Sequence, residues 1–263
     1  VRPVSEIATD GGPIDVVLAD IDDTMTRDGK LLSEAFEALW RLARDGLVVV
    51  PVTGRPAGWC DLIVRQWPVS AVIGENGAFS LMLRDGRVEE RLHPRADRAR
   101  SREGLAAVER EVLARVPGSR IARDQFSRIF DLAIDFCEDP PRLPMSEAKR
   151  IKEICEGLGA RAKISSIHVN AWFGDYDKRD MARILLSDVF GLELDRSSDN
   201  MRVAYCGDSP NDEPMFEAVH RSCAVANISA FEGMLSTPPR FVTKRSHGEG
   251  FAEFAQAVLE SRR

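Results

Sequence analysis

No stretch of this chain approaches the roughly 18 consecutive apolar residues that a membrane-spanning helix needs. Its first residues, VRPVSEIATDGGP, lack the basic-then-apolar layout of a secretory leader. We therefore expect a cytoplasmic protein with no membrane partner. Positive charge is also short: 36 Lys and Arg against 42 Asp and Glu leave a formal charge of −6. That is the wrong sign for nonspecific attraction to nucleic acid or anionic lipid, so no nucleic-acid partner is expected. The five cysteines (Cys60, Cys137, Cys155, Cys206 and Cys223) are odd in number, scattered and without CxxC spacing. Neither a disulfide framework nor a zinc site is suggested, and we read them as small buried hydrophobes. Internal repeats and low-complexity tracts are missing too. What remains is an ordinary globular composition, 44% apolar and 30% charged over 263 residues. It suffices for one large domain or a domain with a partner, and oligomeric state is not legible from it.

Several apolar runs rich in β-branched residues end in small or acidic residues: Ile14–Ala19, Leu47–Val52, Ala71–Ile73 and Val203–Tyr205. Runs that are apolar throughout suit strands covered on both faces. Helical patterns lie between them, such as Leu32–Arg44 stopped by Gly46. The fold class is therefore α/β, with a Rossmann-like parallel sheet. The middle differs. A hairpin over Phe79–Leu92 turns at Asp85-Gly86, and a long charged helix follows from Ala96 to Arg115. An alternating strand Asp131–Cys137, a helix Ser146–Leu158 and a single strand Ile164–Phe173 complete it. From Lys178 the parallel-sheet style resumes. We expect a discontinuous core, residues 1–92 and 174–263, with a smaller inserted α/β unit at 93–173.

The first buried strand runs straight into Asp20-Ile21-Asp22-Asp23-Thr24. Open α/β sheets bind ligands at the carboxyl ends of their strands, and that is where these acids fall. Gly207-Asp208-Ser209-Pro210-Asn211-Asp212 follows another apolar strand. Two unit charges about 4 Å apart repel by roughly 4 kcal/mol at an effective dielectric near 20. A positive partner is required, and a hard, oxygen-loving cation, Mg²⁺, answers most economically. No histidine neighbours either loop in sequence, which disfavours zinc.

Thr53-Gly54-Arg55 closes the strand ending at Val52, so its hydroxyl and the following amides can donate to phosphoryl oxygens. Lys178, at a helix start, offers a point charge to a nucleophile and a phosphate. Singly, a strand-end threonine is as readily a cap and a helix lysine as readily solvated. Their order along the chain turns both readings toward a phosphate site.

With those residues in view, the chain resembles the haloacid dehalogenase superfamily. Asp20-x-Asp22-x-Thr24 resembles its first motif, Thr53 its second, Lys178 its third and Gly207–Asp212 its fourth. Thr53-Gly54-Arg55-Pro56, Glu75-Asn76-Gly77-Ala78, Phe241-Val242-Thr243 and Gly248-Glu249-Gly250-Phe251 resemble the IIB branch, whose α/β cap is inserted between the second and third motifs. The resemblance implies that Asp20 attacks phosphorus to form an aspartyl-phosphate and that Asp22 acts as general acid and base. It implies Mg²⁺ held by Asp20, the Asp22 backbone carbonyl and Asp208, with Asn211 and Asp212 in support. Thr53, Lys178 and loop amides would stabilise the transferring group. Thr24, Gly54 and Arg55 are phosphate-binding or supporting positions, Arg55 being equally readable as a structural salt bridge. A carboxylate at Asp22 favours phosphoryl transfer over dehalogenation.

The expected activity is hydrolysis of a small phosphorylated metabolite, such as a sugar or glycosyl-glycerate phosphate. A phosphomannomutase-like mutase is the nearest alternative, and a receiver-like binding module an alternative of another class. Along the last strand of the insert, Ile167, Val169, Ala171 and Phe173 alternate with His168, Asn170 and Trp172. If the second face looks into the cleft, His168 and Asn170 could bond hydroxyls while Trp172 stacks on a sugar ring. The bland reading packs Trp172 inside the cap and leaves His168 to solvent. Asn76 is a further candidate for substrate contact.

Overall fold

The computed structural model describes residues 1–165 and 167–263. A two-residue strand, β1 (Arg2–Pro3), and a 3-10 turn (Val4–Thr9) precede β2 (Val16–Ala19), whose four residues are all buried. A short hairpin of β3 (Thr26–Arg27) and β4 (Lys30–Leu31) leads into α1 (Ser33–Arg44), β5 (Val48–Pro51), α2 (Ala57–Gln66) and β6 (Val72–Gly74). Asp85 and Gly86, both at positive φ, then turn the hairpin of β7 (Phe79–Arg84) and β8 (Arg87–Leu92).

Next come α3 (Arg98–Arg115), β9 (Arg120–Ile121), β10 (Asp131–Asp135), α4 (Met145–Gly157), β11 (Arg161–Ile164) and β12 (His168–Trp172). Asp97 caps α3 by accepting from the amides of Ala99 and Arg100. The four strands pair antiparallel in the order β11-β12-β10-β9. Helices α3 and α4 cover one face, where Val108, Val112 and Ile151 meet Leu132, Ile134, Val169 and Ala171 in a separate apolar cluster.

The chain returns through α5 (Lys178–Phe190), α6 (Ser197–Asn200), β13 (Val203–Gly207), α7 (Glu213–Ala218), β14 (Arg221–Ala224), β15 (Phe241–Val242) and α8 (His247–Glu260). The main sheet runs β1-β15-β14-β13-β2-β5, parallel throughout. A parallel bridge between Val52 and Ile73 attaches β6 to it. Alternation within β2 shows why both faces are apolar. Val17 and Ala19 pack toward α1 and α8, while Val16 and Leu18 pack toward α5 and α7. The class is α/β with a parallel core, as the runs of apolar residues suggest.

The structure corrects one element. Ile164–Phe173 is not one strand but the end of β11, a reversal and β12. Ser165 makes the reversal: its amide and hydroxyl both donate to the His168 carbonyl, at 2.8 and 3.1 Å. A fourth apolar cluster joins the two units, with Ile21, Cys60, Ile63 and Phe79 meeting Phe130 and Trp172. All five cysteines are free, and only Cys137 is not fully buried. Among the described residues no helix is long and apolar enough to cross a membrane.

Candidate active site

Strand β2 ends at Ala19 and delivers Asp20 to the carboxyl edge of the sheet. The neighbouring β13, in register Cys206 to Ala19, delivers Asp208 beside it. Asp20, Asp208 and Asp212 are all buried, and each offers an oxygen within 4.8 Å of the others. Lys178 Nζ donates to Asp20 Oδ1 at 3.0 Å, to Asp212 Oδ1 at 2.7 Å and, less closely, to Asn211 Oδ1 at 3.4 Å.

Asp212 is fully committed. Oδ1 also accepts from the Tyr205 hydroxyl at 2.6 Å, and Oδ2 accepts from the amides of Asp208 and Ser209 at 2.9 and 3.3 Å. Two donors on each oxygen use its ordinary capacity, which makes it a support for the loop rather than a ligand. Gly207 permits this, because a Cβ there would stand 2.5 Å from Asp212 Oδ2. Asp208 Oδ1 accepts from the Thr24 hydroxyl at 3.0 Å. Among the described residues, no hydrogen bond reaches Oδ2 of Asp20 or Oδ2 of Asp208.

Burial pushes Asp20 up to about 8 against the pull of Lys178, with Asp212 and Asp22 adding to the rise. Burial also raises Asp208, reinforced by Asp212 and Asp20. For Lys178 burial acts downward, but Asp20 and Asp212 hold it above its ordinary value. One ammonium thus pairs with two of three buried carboxylates, Asp20 and Asp212, and leaves Asp208 without it. Two spare carboxylate oxygens in an all-oxygen setting fit a hard divalent cation such as Mg²⁺.

The turn after Val52 forms the second wall. Arg55 N donates to Thr53 Oγ1 at 3.0 Å, which leaves the buried Thr53 hydroxyl hydrogen for another acceptor. Gly54 N–H has no partner among the described residues. The Arg55 guanidinium stacks on Trp59 at 4.3 Å and grips the Asp22 carboxylate. Nε reaches both Asp22 oxygens at 3.1 and 2.9 Å, and Nη2 reaches Oδ1 at 2.7 Å. Arg55 is therefore a salt-bridge partner in this structure. The arginine thus holds the Asp22 carboxylate, while among the described residues the Asp22 backbone carbonyl accepts no hydrogen bond.

The antiparallel sheet roofs the cleft. His168 and Asn170 line it with Asp20, Asp22, Gly54 and Asn211. His168 is buried rather than solvated, with Nε2 2.8 Å from Glu138 Oε2. That hydrogen bond holds Glu138 down to about 2, with partial desolvation opposing and Arg55 assisting. About 20 Å³ of the cleft is open to the centre of a water-sized sphere, room for about one water. A phosphoryl group needs the roof or Arg55 to move aside.

Two candidate substrate contacts lie away from the cleft. Trp172 lies on the same face as His168 and Asn170 but outside the cleft, 2% exposed in the apolar cluster with Phe130 and Tyr176. Its indole donates to the Tyr176 carbonyl at 3.2 Å. Two residues beyond Asn170 on a strand is about 6.6 Å, enough to leave the site. Asn76 sits behind Gly54 and donates to Asp131 Oδ2 at 3.4 Å, away from the cleft lining.

The residues that sequence reasoning missed lie where the roof meets the core. Arg128, its side chain 1% exposed, donates from Nη1 to both Asp131 oxygens at 2.9 and 3.1 Å and to the Gly54 carbonyl at 2.8 Å. Its Nε and Nη2 donate to Asp124 at 3.2 and 3.3 Å. Asp124 also stands 3.6 Å from Arg55 Nη1. Asn170 Nδ2 donates to Asp131 at 2.9 Å. Glu75, at the end of β6, accepts from the amides of Ala57, Ile129, Phe130 and Asp131. The one available signal was Asp131 itself, an acid opening a strand whose next three residues are apolar.

No family model matches the chain, and no curated protein sequence does. Among solved structures the fold is that of the haloacid dehalogenase-like hydrolases. One from Bacteroides thetaiotaomicron matches with a TM-score of 0.64 and 14% identity, over 93% of this chain and 99% of that one. The chain is also similar to the trehalose-6-phosphate phosphatase C-terminal domain of C. albicans, with TM-score 0.71, 15% identity and 98% of each chain covered. The sucrose-phosphatase of Synechocystis, solved with sucrose and phosphate, matches with TM-score 0.63 and 16% identity, over 94% of this chain and 98% of that one.

Proposed function

We propose that this protein is a Mg²⁺-dependent phosphatase that hydrolyses a small phosphorylated metabolite through an aspartyl-phosphate. One observation carries the reading. Asp20, Asp22 and Gly54 line a single cleft; Lys178 stands 3.0 Å from Asp20, and among the described residues the Thr53 hydroxyl hydrogen and the Gly54 amide are uncommitted. That is a nucleophile, an acid or base and a set of phosphoryl-oxygen donors in one place.

In this reading an Asp20 oxygen attacks phosphorus while Asp22 gives its proton to the leaving alcohol. Asp22 later takes a proton from the water that releases phosphate. Arg55 must let go of Asp22 for the first step, so it orients the carboxylate until substrate arrives. Lys178, Thr53 and Gly54 neutralise the equatorial oxygens in a largely dissociative transition state. A Mg²⁺ ion held by Asp20, the Asp22 carbonyl and Asp208 would supply the rest of the charge neutralisation. Residues 93–173 form the cap in this proposal and carry substrate preference, with His168 and Asn170 toward the leaving group. Sucrose-phosphatase and trehalose-6-phosphate phosphatase share the fold, which supports a sugar phosphate or a related glycosyl-glycerate phosphate.

The test is phosphate release from a panel of phosphomonoesters with and without Mg²⁺. Turnover should require the metal, and Asp20→Asn should lower kcat by ~10³-fold or more. Full activity in that variant would remove Asp20 as nucleophile. A stoichiometric need for a bisphosphate would indicate a mutase, and a stable phosphoprotein without turnover a binding module.

A further inference from the structure

We propose that Arg128, a roof residue, is a positioning residue for the phosphate-binding turn Thr53–Gly54–Arg55, so that docking of the roof prepares the core for catalysis. The inference rests on the phosphatase reading and extends it to a residue outside the four motifs.

One peptide unit links Arg128 to the phosphate-binding turn. Arg128 Nη1 donates to the Gly54 carbonyl at 2.8 Å. The Gly54–Arg55 peptide is planar, so fixing that carbonyl fixes the Arg55 N–H on the opposite side. This N–H donates to Thr53 Oγ1 at 3.0 Å. With a lone pair occupied, the Thr53 hydroxyl is oriented to donate, and its hydrogen is the one left for a phosphoryl oxygen. A donor on a carbonyl also polarises its amide, which strengthens the next bond in the series. The chain is guanidinium, carbonyl, amide, hydroxyl, phosphate.

Arg128 is suited to this by its own restraint. Asp131 takes Nη1, and Asp124 takes Nε and Nη2, leaving the guanidinium plane no freedom to turn. Both carboxylates belong to the roof. Asp124 also stands 3.6 Å from Arg55 Nη1, so both flanks of the peptide are referenced to the same unit. On the core side, a Cβ at Gly54 would sit 3.1 Å from the Asn76 amide oxygen, so the turn is backed closely from behind. A lysine could satisfy only part of this set, because one ammonium cannot reach Gly54, Asp131 and both Asp124 oxygens together.

The experiment uses the full chain with Mg²⁺ and p-nitrophenyl phosphate, whose leaving group is small and carries no sugar hydroxyls. Arg128→Ala and Arg128→Lys should each lower kcat by about 30-fold or more while KM stays within about threefold. Added guanidinium ion should restore at least threefold of the Arg128→Ala loss. Arg123→Ala, on an exposed roof arginine paired with Asp139, should match wild type. Activity in Arg128→Lys within twofold of wild type would overturn the proposal. So would a raised KM at unchanged kcat, which would make Arg128 a direct substrate contact. If Arg128→Ala fails to fold, Arg128→Lys, which keeps the charge beside Asp131, decides. Should wild type hydrolyse no phosphomonoester, the phosphatase reading fails by itself. The positioning role is then read from beryllofluoride binding with Mg²⁺, expected to be tenfold or more weaker in Arg128→Lys and overturned by equal binding.

Discussion

Glu75 gives the sharpest test of how the roof is held, because its carboxylate leaves the core and ends among backbone amides of the other unit. It is fully buried, with Oε1 accepting from Ala57 N at 3.1 Å and Ile129 N at 2.9 Å. Oε2 accepts from Phe130 N at 2.6 Å and Asp131 N at 3.2 Å. Glu75→Ala strands these donors. At the low end of about 1–3 kcal/mol per unsatisfied buried group, four of them cost roughly 4 kcal/mol. An opposing effect depends on pH. Burial pushes Glu75 up to about 7, Asp131 adding and the Phe130 and Ile129 amides pulling back. A folded value above the ordinary one means the group's stabilisation is whole below about 4.5 and is lost as pH rises through 7. At 1.36 kcal/mol per pKa unit, that loss reaches roughly 3 kcal/mol. Glu75→Ala should therefore cost about 3 kcal/mol at pH 5 and about 1 kcal/mol at pH 8. Urea unfolding followed by tryptophan fluorescence measures this, since Trp172 lies in the cluster that joins the units. A cost that grows between pH 5 and pH 8 would refute the reasoning, because it would mean the amides outweigh burial and keep the carboxylate ionised. A cost below 1 kcal/mol at both would mean that water replaces the carboxylate and the roof is held elsewhere.

Other expectations follow from single contacts. Gly77 has φ +106, and a Cβ there would lie 2.1 Å from the Asp177 carbonyl oxygen, just before Lys178. Gly77→Ala should lower Tm by roughly 6–12 °C, taking about 3 kcal/mol for strain and clash. It should also lower kcat by displacing Lys178, and an unchanged Tm would show that the turn yields freely. Glu138 is held down to about 2 chiefly by its hydrogen bond with His168. The stabilisation this provides is present above the ordinary 4.5 and lost as pH falls toward 2. The Tm gap between wild type and Glu138→Gln should thus narrow between pH 5 and pH 3, and a gap that holds constant to pH 3 would contradict the assignment.

The core of the site was legible because each part is a short string at the end of a buried strand, where backbone geometry settles which way the next residues point. Asp20, Thr53 and Asp208 needed only the strand that precedes them, and Lys178 needed only its place at a helix start. Alternation along β12 separated the face bearing His168 and Asn170 from the face bearing Val169 and Ala171, which packs on α3 and α4. It says nothing about distance along the strand, and so it leaves open whether Trp172 stacks in the cleft or packs in the interior, where the structure puts it about two residues of rise beyond Asn170. Spacing rules do carry distance, but only within one element, and even Arg128 and Asp131, three residues apart, straddle the end of a 3-10 turn and the start of β10. The bond from Arg128 to the Gly54 carbonyl spans 74 positions and joins two sheets, and Glu75 reaches Phe130 across 55. Neither periodicity nor spacing applies to such pairs. In sequence Arg128 is one more arginine in a polar loop, one of many in a chain rich in charge. What distinguishes it is burial among Asp124, Asp131 and a core carbonyl, and burial of a charged side chain depends on how the two layers meet. The motifs thus show which groups the sheet edge gathers, while the residues packed behind those groups emerge only from the contact between the layers.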